Sequence, residues 1–252
     1  MNAGTCDNLE HAAVLGVRLD LADVAVFHRA WDRAIVLRQR VTVTAPHFHI
    51  LLDAARDPDL RIFLNSCSCN HIDGIGVWLA VRFLTGRSPA RLTGTDTMLP
   101  WLERLSVERR RVYVLGGSYE TADTLQSRFS MRAPDATFRC HHGEIHIDDR
   151  SVLEDIRDFR PDVLLVSLGM RLQFTWLRLH RQSLEVPVVV ATGGFVEFLA
   201  GTRPRAPRWM RRAGLEWLHR LLHEPGRLWR RYILGIPAFF YLVLRQRLRG
   251  RL

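Results

Sequence analysis

The chain has 252 residues, 47% of them hydrophobic, and a formal net charge of +10, enough to bury a full core as one large domain or one domain with an appendage. Its start, Met1-Asn2-Ala3-Gly4-Thr5-Cys6-Asp7, has neither a basic n-region nor an apolar h-region, so no secretory signal is expected. Four cysteines (6, 67, 69, 140) are too few and too irregular for a disulfide framework, which points to a reducing cytoplasm, and because all 36 basic residues are Arg, a Walker P-loop, a Schiff-base enzyme and a Lys general base are excluded.

The first forty residues read as a strand pair or a strand and a helix, with Val14 to Asp20 the best strand. A helix is expected from Phe48 to Arg56 and a shorter one from Pro58 to Leu64, where Asp57 can cap and Pro58 takes the first helical position. Further on, one grammar repeats: an apolar, β-rich run ends in glycine and a helical pattern follows. Val112 to Leu115 runs into Gly116-Gly117 and a helix from Tyr119 to Phe129. Val163 to Leu168 runs into Gly169 and a helix from Leu172 to His180, and Pro187 to Thr192 runs into Gly193-Gly194. Continuous apolar strands alternating with helices predict an α/β fold, a Rossmann-like parallel sheet with helices on both faces. In such sheets ligands sit outside the carboxyl ends of the strands, where these glycines fall.

The composition breaks at Gly201-Thr202-Arg203-Pro204, which divides a core, 1–202, from an appendage, 203–252. From Arg203 onward thirteen Arg face only two Glu, so the basicity is local and the core is close to neutral. A segment of that charge density needs a polyanion: a nucleic acid, an anionic bilayer or a diphosphate. Trp209, Trp217, Trp229 and Tyr232 are interleaved with the arginines, and an apolar run from Tyr232 to Leu244 is broken by Gly235 and Pro237. The run is too short to span a bilayer, which takes about 20 apolar residues, and it fits a basic amphipathic helical segment lying in the membrane interface. No nucleic-acid reading module accompanies it.

Each motif has a plain structural reading beside the functional one. Asp73, before the Gly74-Ile75-Gly76 turn, can cap a helix or act as a general base. The alternation Cys67-x-Cys69-x-His71-x-Asp73 puts four ligand types on one strand face, but i, i+2 positions rarely close a tetrahedron, so no metal is expected there. Asp57-Pro58-Asp59 is the sole D-x-D and reads as a helix boundary. His141-His142-Gly143 reads as a polar turn. Gly116-Gly117 and Gly193-Gly194 can bring backbone N–H groups to a phosphate, or simply make tight turns.

Taken together these pieces resemble the WecG/TagA/CpsF family of glycosyltransferases from Val14 to Tyr232. The resemblance is carried by Asp57-Pro58-x-Leu60-Arg61, Asp73-Gly74-Ile75-Gly76-Val77, Arg91-Leu92-Thr93-Gly94-x-Asp96, Leu115-Gly116-Gly117, Leu168-Gly169 with Gln173, and Gly193-Gly194-Phe195. Most specific is the tail: Arg205-Ala206-Pro207-x-Trp209, Gly214-Leu215-Glu216-Trp217-x-x-Arg220-Leu221 and Glu224-Pro225-x-Arg227-x-x-Arg230-Arg231-Tyr232. It implies an inverting, metal-independent transfer, without a cofactor, from a UDP-sugar to a polyprenyl-diphosphate-linked saccharide, in cell-surface polysaccharide synthesis. The enzyme would be cytoplasmic and peripheral on the inner face of the membrane, docked on an anionic surface, with an oligomer allowed. Position by position it implies catalytic roles for Asp73 (the base), Arg91 and Gln173. Thr44, Gly94, Gly116, Gly117, Gly169, Gly193, Gly194, Arg220, Arg227 and Arg230 would bind substrate. The chain departs from the family pattern at Pro46, where an Asn is usual, at Phe174, where an acid is usual, and at Glu197, where Asp is more usual. A catalytically weak, membrane-docked scaffold of a polysaccharide assembly complex is the alternative.

Overall fold

The structure is a computed structural model and describes residues 9–90, 92, 94–132 and 137–250. It opens with an antiparallel hairpin, β1 (His11–Val14) and β2 (Val17–Asp20). Leu15 and Gly16 join them with φ of 51° and 80°, the left-handed pair that a two-residue turn needs to match strand twist. The expected strand from Val14 to Asp20 is therefore cut by a chain reversal. After α1 (Val24–Val36) come β3 (Val41–Thr44), α2 (Phe48–Arg56), α3 (Pro58–Asn65), β4 (Cys69–Asn70), α4 (Ile75–Thr85) and α5 (Gly94–Val107). The repeated strand-helix units follow as β5 (Val112–Gly116), α6 (Tyr119–Arg132), β6 (Phe138–His141), α7 (Arg150–Phe159), β7 (Val163–Ser167), α8 (Met170–His180), β8 (Val188–Ala191) and α9 (Phe195–Ala200).

The six-stranded sheet has the order β4-β3-β8-β7-β5-β6, and every neighbouring pair is parallel. The period of two explains why its strands are apolar throughout. Tyr113 and Leu115, Leu164 and Val166, and Val189 and Ala191 enter one core, while Val112 and Val114, Val163 and Leu165, and Val188 and Val190 enter the other. The helix after β3 packs into the first core through Phe48, Ile50 and Leu51. The helix after β8 packs into the second through Phe195, Val196 and Ala200. Successive connections thus leave β3 and β8, which are neighbours, toward opposite faces and open a crevice at their carboxyl ends.

The tail continues as α10 (Arg208–Arg212), α11 (Glu216–His223), α12 (Pro225–Trp229), a π-helical turn Arg230–Leu234 and α13 (Gly235–Arg249). It is packed on the rest of the chain: Leu228, Tyr232, Phe239 and Val243 are buried in the first core. Phe48 meets the rings of Tyr232 and Phe239 at 6.0 and 5.9 Å. Gln246 clamps the hairpin turn, accepting from Leu15 N–H and donating to the Ala13 carbonyl, both at 2.8 Å. Arg247 donates to the Leu84 carbonyl at the end of α4 at 2.6 Å. Among the described residues no helix is long and apolar enough to cross a membrane.

Candidate active site

Asp57 accepts hydrogen bonds from Asp59 N–H and Leu60 N–H at 3.0 and 3.1 Å and so caps α3, leaving the D-x-D as a helix boundary. Asp73 is not the N-cap residue of α4, which is Gly74, at φ 80°, and it lines the crevice. Its backbone forms a parallel bridge to Leu92, which holds it beside the start of α5. The Cys/His alternation gathers no metal site: among the described residues no group of three His, Cys, Asp or Glu could hold an ion. Cys67 is a buried free thiol pushed up to about 12 by burial, whereas Cys69 is disulfide-bonded.

The crevice has two lobes. A polar lobe at the ends of β3 and β8 is lined by Ala45, His71, Thr95, Gln173, Thr192 to Gly194 and Arg231. An apolar lobe between α2, α4 and the tail is lined by Phe48, Ile75, Leu79, Trp217, Ile236 and Phe240. Four residues line both lobes: His47, Asp73, Glu216 and Arg220. A carboxylate from the core and an arginine from the tail therefore both line the rim that the two lobes share.

The residues picked out by sequence divide sharply. Gln173 is buried and accepts from Gly193 N–H at 3.1 Å, fixing the turn after β8 against α8. Gly193, at φ 60°, has nothing near the position of a Cβ. A Cβ on Gly194 would lie 2.8 Å from Arg203 Nη1 and 3.4 Å from Arg220 Nη2, so the tail's guanidinium groups close over this turn. Gly94 begins α5, and Thr95 after it lines the polar lobe. Thr44 is fully buried and donates its hydroxyl to Asn70 Oδ1, so it ties β3 to β4 below the crevice. Gly116 and Gly117 line neither lobe, and a Cβ on them would lie 2.4 Å from the Ser167 carbonyl oxygen and 2.7 Å from Thr121 Cγ2. They serve close packing of β5, β7 and α6. Gly169, at φ 81°, is the N-cap of α8 and lines neither lobe. Arg91 lies outside the described residues, and Arg227 lies on α12. Arg230 is exposed and stacks on the Trp229 ring at 5.3 Å; the cleft-facing arginine of that pair is Arg231.

Among the cleft residues with no site role in the sequence reading are His47, Glu216 and Arg231. The tail signature contains the last two, but only the π-helical turn decides which of two adjacent arginines faces inward. Arg231 Nη2 donates to His47 Nδ1 at 3.3 Å. Burial first, then Arg231 and Arg220, hold His47 well below the usual histidine range. His71 is driven down to about 4 by burial alone, and neither ring nitrogen has a partner. Phe174, where an acid is usual in the family, is buried edge-on against Phe63 at 6.4 Å and puts an apolar ring in the wall of the polar lobe.

The sequence pattern of the Glycosyl transferase WecG/TagA/CpsF family matches residues 12–252. The chain belongs to this family. Among its relatives is the N-acetylglucosaminyldiphosphoundecaprenol N-acetyl-beta-D-mannosaminyltransferase of Staphylococcus aureus strain MW2, 32% identical over 180 residues, which are 71% of this chain and 70% of the relative. The proteins of the same name from strains NCTC 8325 / PS 47 and COL match to the same extent, 32% over 180 residues. The chain is thus a family glycosyltransferase, and the region shared with the family includes the crevice and the basic tail.

Proposed function

We propose that this chain transfers an N-acetylhexosaminyl group, N-acetylmannosamine first among those to be tested, from a UDP-sugar to a polyprenyl-diphosphate-linked saccharide in cell-surface polysaccharide synthesis. The observation that carries the reading is Asp73 at the junction of the two lobes, with Arg220 on the same rim. In the step proposed, Asp73 takes the proton of the acceptor hydroxyl as its oxygen bonds to the anomeric carbon. The bond from that carbon to the β-phosphate oxygen breaks on the opposite face, inverting the centre. UDP leaves with the electron pair, and Arg220 and Arg231 offset its charge without a metal, since guanidinium stays protonated and presents a fixed fork of donors. The polar lobe takes the nucleotide-sugar and the apolar lobe the lipid-proximal part of the acceptor.

The same reading places the enzyme peripherally on an anionic membrane surface. Support comes from exposed apolar side chains that continue from α4 (Leu79, Phe83) onto the tail (Ile233, Leu234, Tyr241, Leu244, Leu248), with Arg245 stacked on Tyr241 at 5.9 Å. Residues 203–252 act in this reading as an appendage that both docks and completes the site. The test is turnover of the purified full chain on a panel of UDP-sugars with a short-chain lipid diphosphate acceptor, in excess chelator. Asp73→Asn keeps the size of the side chain and removes its basicity, with an expected loss of about 10²–10⁴-fold. Unchanged turnover at saturating donor and acceptor rejects the base assignment.

A further inference from the structure

His47 follows β3 and serves as the N-cap residue of α2 without a side-chain cap hydrogen bond. Its ring is steadied by Phe48, 4.4 Å away, which packs in turn on the buried tail residues Tyr232 and Phe239. His47 lines both lobes, and the two edges of its imidazole have different neighbours. The Nδ1 edge meets Arg231, which lines only the polar lobe. The Nε2 edge lies beside Gly74, 3.7 Å from where a Cβ would stand on that glycine, and Gly74 lines only the apolar lobe.

Tautomer chemistry then fixes what the ring can do. A guanidinium donates hydrogen bonds and cannot accept them, so Nδ1 must offer its lone pair to Arg231, and the single proton of the neutral ring sits on Nε2. Protonation of Nδ1 would break that bond and set two cations side by side, and burial opposes it as well. The result is a neutral N–H donor of fixed direction, next to the residue after Asp73 and turned toward the acceptor side. A hydroxyl that must present its proton to Asp73 and a lone pair to the anomeric carbon gains from a donor that fixes the sugar bearing it.

From this geometry we infer that His47 is an acceptor-positioning residue, its Nε2–H donating to an oxygen of the acceptor sugar while Arg231 holds the ring in that tautomer. The inference rests on the proposed transfer and assigns His47 to the acceptor, not to the nucleotide.

The test uses the full chain with His47→Ala and His47→Gln, the second keeping an N–H donor near the place of Nε2. Initial rates are measured against each substrate in turn. His47→Ala should raise the acceptor KM by about 10-fold or more, the range lost with one hydrogen bond to substrate. The donor KM should stay within about twofold, and His47→Gln should recover most of the loss. Wild-type rates in His47→Ala, a defect confined to the donor KM, or His47→Gln as impaired as His47→Ala would each overturn the inference. Should the wild-type chain transfer no sugar from the panel, the proposed function fails, and His47 is then judged by ¹⁵N-histidine NMR at pH 7, its signal assigned by loss in His47→Gln. A neutral Nε2–H ring that shifts on adding a GlcNAc-diphosphate-lipid analogue supports the inference. A Nδ1–H tautomer, an imidazolium or an unshifted ring overturns it.

Discussion

Two double glycines end two strands of one sheet, and only one of them belongs to the crevice. At the end of β5, Gly116 and Gly117 have backbone and side-chain atoms packed where a Cβ would go, and neither lines a lobe. After β8, Gly193 and Gly194 line the polar lobe, and what approaches Gly194 is the movable end of Arg203 and Arg220. The same dipeptide is a packing device where helices close over the strand end and a site element where the chain reverses faces. Position relative to the β3/β8 switch decides the outcome, and the motif does not.

The largest expected effect is at the packed pair. Gly116→Ala sets a methyl against the Ser167 backbone at φ 148°, neither of which can yield, so a destabilisation of about 3 kcal/mol or more is expected in denaturant titration. Turnover per folded molecule should change little. A variant as stable as the parent would break the comparison.

On the crevice side some buried polar groups are unsatisfied: both ring nitrogens of His71 and Arg220 Nε lack hydrogen-bond partners. Because the His71 pKa is lowered to about 4 in the folded chain from an ordinary 6.5, the unfolded chain binds the extra proton first. Its contribution is present above pH 6.5 and is lost as pH falls toward 4, up to about 3 kcal/mol. His28, His47 and His49 are lowered in the same direction, so the informative quantity is a difference. His71→Leu should flatten the fall in stability between pH 6.5 and 4 by about that amount. Parallel stability curves for the two proteins would show that His71 is not the buried neutral group described. A smaller effect is expected at Gly194→Ala, where displaced arginine ends should lower turnover about tenfold with stability within about 1 kcal/mol.

How much of this was legible in the sequence follows from the same contrast. The apolar strands ending in glycine disclosed the parallel sheet, because a strand buried on both faces has no polar alternation to hide it. Phe48 to Arg56 and the Asp57 cap could be read because their signals are local. The edge strands β4 and β6 were not, since two residues of β4 carry no period and β6 ends in the pair His141-His142. Within the site, Asp73, Gln173 and Arg220 were legible as motif members. His47 was not, because a histidine after Thr44-Ala45-Pro46 has no signature until the tail folds back and sets Arg231 against it. Nor could the sequence choose between Arg230 and Arg231, a matter of helical phase.

That choice carries the proposed role of the tail, whose arginines complete the crevice only where they face it. The direct measurement is turnover of Arg231→Ala beside Arg230→Ala on a water-soluble acceptor, where membrane docking plays no part. Arg231→Ala should lose about 10²-fold, while Arg230→Ala, whose guanidinium lies out on Trp229, should stay within about twofold of the parent. Equal losses in the two variants, or full activity in Arg231→Ala, would contradict it.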